Sequence, residues 1–271
     1  MASNPVNHVE HANEASPANA ADKQVNVHKR CLLWDWTNTQ NCPWAMDKVN
    51  FHGPIHSCSN WNTWVPPELK GRLPFRPMVR TTGQLGGQDW ENIEKTTEHI
   101  IHFFNEPERA GVSPEQAADA WVKQMLPLRQ QKGKKLVSPS CADDGAGRAW
   151  IEDFMNRVQA HPPDYLGLHY YGTNGDDAIK YIEEMHHKHP HQPIIVSEIA
   201  SISRNKNEVY HFTAQLANWM DKTPWVFEYG FFGCMEHVAD NFVSPQAQLM
   251  NPNGSFTELM LKLMNDEPIK P

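Results

Sequence analysis

The fold is decided by residues 193–199, PIIVSEI, a short apolar run that carries a single carboxylate, Glu198. A run of this length, rich in Ile and Val on both faces, is typical of a strand buried in a parallel sheet. A Glu without a partner in such a strand would cost free energy, so a functional role is favoured over chance. The segment therefore predicts a core strand that ends in a chemically active side chain.

Seven further runs of the same kind lie along the chain. Together the eight predicted strands are 30–37 (RCLLWDWT), 60–65 (NWNTWV), 75–81 (FRPMVRT), 99–105 (HIIHFFN), 135–140 (KLVSPS), 165–171 (YLGLHYY), 193–199 and 225–233 (WVFEYGFFG). Helical patterns alternate with them at 147–160, 174–188, 207–221 and 255–264. Another helix is predicted to start at Ser113, because Ser113 and Gln116 form a capping box around Pro114. Residues 42–87, crowded with Pro and Gly, are predicted as long loops.

Strands that alternate with helices indicate an α/β protein with a parallel sheet, and eight such units predict a closed (β/α)8 TIM barrel. The 271 residues fit one barrel of about 250 residues. We expect a polar, flexible N-terminal arm over residues 1–29 and a single catalytic domain over residues 30–271. A monomer is expected.

Composition excludes two classes of partner. The chain has 24 Lys and Arg against 32 Asp and Glu, a formal net charge of -8, so a nucleic-acid-binding face is not expected. No apolar stretch approaches the roughly 20 residues of a membrane helix. The first residues lack a signal-peptide pattern. A location outside the cell or in the cell wall is expected if a leader has been trimmed, and a cytoplasmic one otherwise.

Neither a metal nor a cofactor is predicted. The five Cys include no CxxC pair, although Cys42 and Cys58 could form a disulfide if the protein is secreted. The His-rich run 186–191 lies at a predicted helix end, where histidines favour the helix dipole, away from the ends of the strands.

Polar side chains end three of the predicted strands. Glu106 follows the fourth strand, His169 and Tyr171 share one face of the sixth, and Glu198 ends the seventh. In an α/β barrel these ends meet at the active-site face. A pair of carboxylates facing each other there is what glycoside hydrolysis needs, one as proton donor and the other as nucleophile or base. The ten Trp also favour exposed aromatic platforms, on which the apolar faces of sugar rings stack.

The motifs resemble those of glycoside hydrolase family 128. They are FFNEPE at 103–108, LGLHYYG at 166–172, IIVSEIA at 194–200, and FFG at 231–233 followed by NPNGSFTELM. The resemblance covers roughly residues 30–265. It implies a (β/α)8 barrel that hydrolyses β-1,3-glucan, a laminarin-like polysaccharide or its oligosaccharides, with retention of configuration. Whether attack is endo or exo stays open.

The resemblance also implies roles for individual residues. Glu106 would be the acid/base and Glu198 the nucleophile. Asn105 would bind the sugar 2-hydroxyl, while His169 and Tyr171 would position or tune Glu198. Because ionised Glu198 would lie near, we expect the pKa of Glu106 to be raised and Glu106 to be protonated in the free enzyme.

Further sugar contacts are expected from the first and last strands. Trp34 and Trp36, on alternate strand positions, would point into the cleft near Asn38, and Tyr229 and Phe231 would contact substrate from the last strand. The family usually carries Trp where this chain has Phe231, and Phe offers less stacking area and no N–H donor. This departure keeps open a second function, a glucan- or oligosaccharide-binding protein with weak or no turnover.

A third alternative is a barrel enzyme of another class, such as an aldolase-like lyase. Those enzymes use a strand Lys or a Gly-rich phosphate loop. None of the eight predicted strand ends carries a Lys, and the last strand is not followed by a Gly-rich loop. The sequence therefore favours the hydrolase.

Overall fold

A computed structural model describes residues 28–271. Within that range the chain forms eight strands: β1 Arg30–Leu33, β2 Ile55–Ser59, β3 Met78–Val79, β4 Ile100–Phe103, β5 Lys135–Val137, β6 Leu166–Gly172, β7 Ile194–Ser201 and β8 Val226–Phe231. The same range contains eight α-helices: α1 Trp36–Asn41, α2 Gly87–Lys95, α3 Pro114–Ala120, α4 Leu126–Lys132, α5 Gly145–Arg157, α6 Gly175–Lys188, α7 Lys206–Lys222 and α8 Glu258–Asn265. Each strand is followed by helical structure, so the predicted α/β alternation is confirmed.

The strands pair in parallel in two sheets. One sheet has the order β2-β1-β8-β7-β6 and the other β3-β4-β5. Isolated parallel bridges join Cys58 to Phe75 and Val137 to Tyr165, between the edge strands of one sheet and those of the other. All carboxyl ends of the strands therefore point the same way.

The helix that follows β4 starts as the sequence predicts. The Ser113 hydroxyl accepts a hydrogen bond from the Gln116 N–H, and the Gln116 side chain accepts one from the Ser113 N–H. This capping box, with Pro114 in the first turn, supplies partners for the free N–H groups of the helix. A π-helical turn, Trp121–Met125, joins α3 to α4.

The core has two parts. A large apolar cluster fills the space between the strands and the helices and includes Trp121, Phe154 and Tyr229. A small cluster of Ile100, Val137 and Ile195 draws on strands of both sheets, with Tyr165 and Phe227 packed against it. The two sheets thus share an apolar contact between their inner faces.

Several predicted strands were wrongly bounded: the third shortens to Met78–Val79 and the fifth to Lys135–Val137. The first strand ends at Leu33, because the Asp35 side chain accepts a hydrogen bond from the Thr37 N–H and caps α1. The second strand is Ile55–Ser59, and residues 60–65 form a loop instead. There the Asn60 side chain accepts from the Asn62 N–H, a local turn that competes with strand pairing.

Most of the predicted N-terminal arm, residues 1–27, lies outside the described residues. Lys29 is buried, and its Nζ donates hydrogen bonds to the carbonyls of Met220 and Thr223. Lys29, which the prediction assigned to the arm, therefore packs against the folded domain. The five cysteines are free thiols, so Cys42 and Cys58 are not joined. No helix within residues 28–271 is long and apolar enough to cross a membrane.

Candidate active site

Glu106 lies beyond the carboxyl end of β4, and Glu198 lies in the carboxyl-terminal half of β7. Glu106 follows β4, where its N–H donates to the carbonyl of Ser140 beyond β5. Glu198 lies within β7, paired in register with His169 of β6. Both carboxylates reach the same imidazole, because Glu106 Oε1 is 3.7 Å from His169 Nδ1 and Glu198 Oε2 is 3.3 Å from His169 Nε2. The structure thus brings these three predicted residues together.

Glu198 is held from both sides. The Tyr171 hydroxyl donates a 2.6 Å hydrogen bond to Oε1, and the Trp61 indole N–H donates a 2.9 Å hydrogen bond to Oε2. Hydrogen bonds from two sides fix the orientation of a carboxylate. An oriented, largely buried carboxylate of this kind is suited to act as a nucleophile.

The pKa of Glu106 departs from its expected direction. Burial would raise the pKa of this carboxyl, but His169 and then Arg109 outweigh burial, and the pKa is lowered. The expectation of a raised pKa is wrong because His169 stands between Glu106 and Glu198 and its charge dominates. For the same reason the pKa of His169 is raised, since the attraction of both carboxylates exceeds the cost of burial.

Backbone strain concentrates at this site. Within residues 28–271 four non-glycine residues have positive φ, and three of them, Trp61 (59°), Phe104 (23°) and Glu106 (42°), are at or beside it. Such conformations cost of the order of 1–3 kcal/mol each and cluster at functional sites. Asn105, between two of them, has a buried Oδ1 without a hydrogen-bond partner in the described chain. An orphaned amide oxygen here is available to a ligand hydroxyl.

Aromatic rings surround Glu198. Phe232, the residue after β8, packs edge-on against Trp61 (5.8 Å between centroids) and Tyr171 (6.2 Å). Phe242 packs edge-on against the other side of Tyr171 at 5.6 Å and is 54% exposed. Its loop is fixed by Arg204, whose guanidinium donates to the carbonyl of Phe242. The backbone that carries the exposed ring is therefore anchored.

Four predicted sugar contacts lie elsewhere. Trp34 is fully buried and its indole N–H donates to Glu68, and Asn38 is buried on α1 with its amide donating to the carbonyl of Cys234. The Tyr229 hydroxyl donates to Asp221 behind the sheet. The side chain of Phe231 is also buried. These four side chains stabilise the fold, and their assignment to the cleft is corrected.

The reason for the last correction is strand alternation. Side chains two apart share a face, and Phe231 borders a small cavity with Leu249, Met260 and Leu263 on the side of α8. Phe232 therefore takes the position by Glu198 that the resemblance gave to Phe231. Trp36, the first residue of α1, is 44% exposed, and its sugar contact stays a prediction.

Trp61, Phe232 and Phe242 were missed by sequence reasoning. Asn residues flank Trp61, and Asn is depleted in strands, so the segment NWN carried a turn signal that was read as a strand. To identify Phe232, the sequence would have had to show which Phe of FFG faces the site. Phe242 lies in a loop without periodicity, and no sequence signal marks it.

A buried ion pair lies beneath the site. The Arg76 guanidinium donates hydrogen bonds to Glu228 Oε1 at 2.8 Å and to Oε2 at 3.3 Å. The Ser57 hydroxyl donates to Oε1 at 2.6 Å. Burial would raise the pKa of Glu228, but His56 and Arg76 lower it to about 2. A small cavity lined by Trp61, His102 and Glu228 separates this layer from the carboxylates above. The network supports the floor of the site.

The site geometry agrees with the comparisons to known proteins. The family model described as glycosyl hydrolase catalytic core matches residues 31–261. A crystal structure of a glycoside hydrolase family 128 (subgroup VI) exo-β-1,3-glucanase from Aureobasidium namibiae is 64% identical, with a TM-score of 0.90, over 90% of this chain and 99% of that chain. No curated protein matches the chain.

Two more distant structures share the fold. A subgroup IV endo-β-1,3-glucanase from Lentinula edodes is 22% identical, with a TM-score of 0.75, over 87% of this chain and 98% of that one. A subgroup VII oligosaccharide-binding protein from Cryptococcus neoformans is 18% identical, with a TM-score of 0.68, over 87% of this chain and 92% of that one. One fold thus carries both a hydrolase and a binding protein.

Proposed function

Since the chain belongs to the glycosyl hydrolase catalytic core family and to glycoside hydrolase family 128, we propose that it hydrolyses β-1,3-glucan from a chain end. The observation that carries this proposal is the pair Glu106 and Glu198, which reach opposite nitrogens of the His169 ring from different strands. Exo attack is favoured by the 64% identity to a solved exo-β-1,3-glucanase.

The proposed reaction is a double displacement. Glu198 attacks the anomeric carbon while Glu106 protonates the departing oxygen, which gives a glycosyl-enzyme with inversion at carbon. Glu106, now a carboxylate, removes a proton from water, and that water releases the sugar with a second inversion. Tyr171 and Trp61 orient Glu198 for the attack through their hydrogen bonds.

Substrate contacts are proposed for side chains with an unpaired polar atom or an exposed aromatic ring. We assign the sugar 2-hydroxyl to Asn105, whose Oδ1 has no partner in residues 28–271. The exposed ring of Phe242 and the half-buried ring of Phe232 offer apolar faces beside Glu198, and Trp36 offers another farther out. No cofactor takes part in this scheme.

The two sheets, we propose, close into one (β/α)8 barrel. The bridges Cys58–Phe75 and Val137–Tyr165 lie where the edge strands of the two sheets meet, in the order that closure requires. The shared cluster of Ile100, Val137 and Ile195 also favours an enclosed interior. A crystal structure with separated sheet edges would contradict closure.

The test uses linear β-1,3-gluco-oligosaccharides with the wild type, Glu106→Gln and Glu198→Gln. We expect both variants to lose hydrolysis, while Glu115→Gln, the same change on exposed α3, keeps it. Single-glucosyl steps in the product pattern support exo attack, and proton NMR of the first anomer released reports retention or inversion. Full activity in either active-site variant would sink the carboxylate assignment.

Oligosaccharide binding without turnover is the second candidate. It is favoured by the lowered pKa of Glu106, because an ionised Glu106 cannot protonate a leaving oxygen. Calorimetric binding of laminari-oligosaccharides by wild type, with no reducing sugar released between pH 3 and 8, would establish it.

A further inference from the structure

The imidazole of His169 lies between the carboxylates of Glu106 and Glu198, which are the polar groups that its two nitrogens face. It is 1% exposed, and neither ring nitrogen forms a hydrogen bond within residues 28–271. Nδ1 faces Glu106 at 3.7 Å and Nε2 faces Glu198 at 3.3 Å. An imidazole in this position can carry a proton on either nitrogen or on both.

The charges place the shared proton on the ring when no substrate is bound. The pKa of His169 is raised, because Glu198 and Glu106 outweigh the opposing effect of burial. The pKa of Glu106 is lowered, because His169 and Arg109 outweigh burial. A general acid needs the reverse distribution, with the proton on Glu106.

We propose that His169 stores the catalytic proton in the free enzyme and passes it to Glu106 when the glucan binds; the inference rests on the proposed hydrolase function. Glu106 Oε1 first approaches Nδ1 from 3.7 Å to hydrogen-bond distance, as catalytic contacts do when substrate binds. The Nδ1–H bond then breaks, an O–H bond forms on Oε1, and the electron pair stays on Nδ1. The Nε2–H remains directed at Glu198. The three groups carry a net charge of minus one before and after, so no other reactant is needed.

Substrate binding supplies the driving force for this transfer. A sugar in the cleft displaces water, and the lower local dielectric makes separated charges more expensive to maintain. Transfer converts a charged imidazolium and carboxylate into a neutral pair. Glu106 then delivers the proton to the leaving oxygen and regains one from the attacking water. When the product leaves, the Oε1–H bond breaks and the proton returns to Nδ1, which restores the charged ring.

The other groups around His169 leave this route intact. His102 on β4 is neutral, because burial lowers its pKa to about 4. Glu108 accepts from the Ala142 N–H, and the Tyr171 hydroxyl donates to Glu198. Arg109, 3.9 Å from Glu106, adds positive charge on the solvent side. Among residues 28–271, only His169 contacts both carboxylates and can exchange a proton with Glu106.

Leaving-group chemistry tests the proposal. We expect His169→Gln to lower kcat/KM on a laminari-oligosaccharide by about 100-fold or more, the range of general acid catalysis. A dinitrophenyl β-glucoside, whose leaving group departs without a proton, should lose far less. Equal losses on both substrates would overturn the proposal, since His169 would then act only by positioning Glu198.

Tyr171→Phe is the matched control, because it removes a hydrogen bond to Glu198 without removing a stored proton. It should lower kcat/KM on both substrates alike. If wild type hydrolyses neither substrate, the proposed function fails rather than the role of His169.

The pH profile gives a second test that needs no folded variant. The active form of the wild type contains the shared proton, so the alkaline limb of kcat/KM on the oligosaccharide should lie above pH 6.5, the ordinary pKa of His from which that of His169 is raised. In His169→Gln the limb should move to lower pH, where Glu106 holds the proton alone. A wild-type limb below pH 6.5 would overturn the proposal.

Discussion

At the scale of single residues, Trp61 combines a strained backbone with a direct contact to the nucleophile candidate. Its φ is 59°, and its carbonyl accepts a 3.1 Å hydrogen bond from Arg80. Its indole N–H donates to Glu198 Oε2. The anchoring of the loop by Arg80 keeps the indole aimed at the carboxylate, so the strain serves a defined contact.

We predict that Trp61→Phe lowers kcat/KM by about 10- to 100-fold, the cost of a lost hydrogen bond to a charged group. The loss should appear mainly in kcat, because the oriented nucleophile acts in the chemical step. Trp219→Phe, on α7 against Trp225, is the control and should keep full activity. A rise in KM with unchanged kcat would show that Trp61 only binds sugar.

The candidate site residues Glu198 and His169 were predictable from sequence because each is a polar side chain in an apolar strand. Glu198 in IIVSEIA and His169 in LGLHYY stand out for that reason. Phe231 and Phe232 could not be told apart in this way, since both are apolar and one residue of register exchanges the two faces. The inward residue is identified only by its packing against Trp61 and Tyr171.

At the scale of elements, local chemistry decided which boundaries could be predicted. The start of α3 was correct because the capping box is complete within four residues. The end of β1 was not, because RCLLWDWT remains strand-like up to Thr37, and only the side chain of Asp35 turns Trp36 into a helix. A single Asx cap can override strand propensity in this way.

We predict that Ser113→Ala destabilises the fold by about 1 kcal/mol, the usual cost of a lost N-cap, and lowers Tm by about 2–4 °C. Ser113 is exposed, so its packing does not change. Ser113→Asp restores a capping oxygen and should recover wild-type stability. Urea unfolding of the three proteins measures this, and equal destabilisation by Ala and Asp would rule out the cap.

At the scale of the whole molecule, the Arg76–Glu228 pair joins the two sheets. Glu228 belongs to β8 in the five-stranded sheet, and Arg76 lies two residues before β3 in the three-stranded one. Arg76 and Glu228 are 152 residues apart in sequence. No periodicity or spacing marks such a pair, which is why the alternation of elements was predictable and the buried network was not.

The same pair sets how stability depends on pH. The pKa of Glu228 is about 2 in the folded protein, against an ordinary value of 4.5. A carboxyl with a lowered folded pKa stabilises the fold fully above its unfolded pKa, and that stabilisation is lost as pH falls towards 2. The shift corresponds to the order of 3 kcal/mol. The pKa of His102 is lowered from 6.5 to about 4 in the folded protein, so His102 destabilises the fold increasingly as pH falls from 6.5 to about 4.

We predict that Glu228→Gln destabilises the protein by about 3–5 kcal/mol at neutral pH, because Arg76 is left buried without its charged partner. Since wild-type Glu228 becomes neutral in acid, the difference between the two proteins should shrink as pH falls from 4.5 to 2. The comparison is made on a His102→Gln background, because the charge of Glu228 raises the pKa of His102 and its contribution would otherwise differ between the two proteins. Denaturant unfolding from pH 7 to 2 measures the difference in free energy of unfolding, with Glu115→Gln as the exposed control. If that difference stays constant across the range, the charge of Glu228 is not its cause.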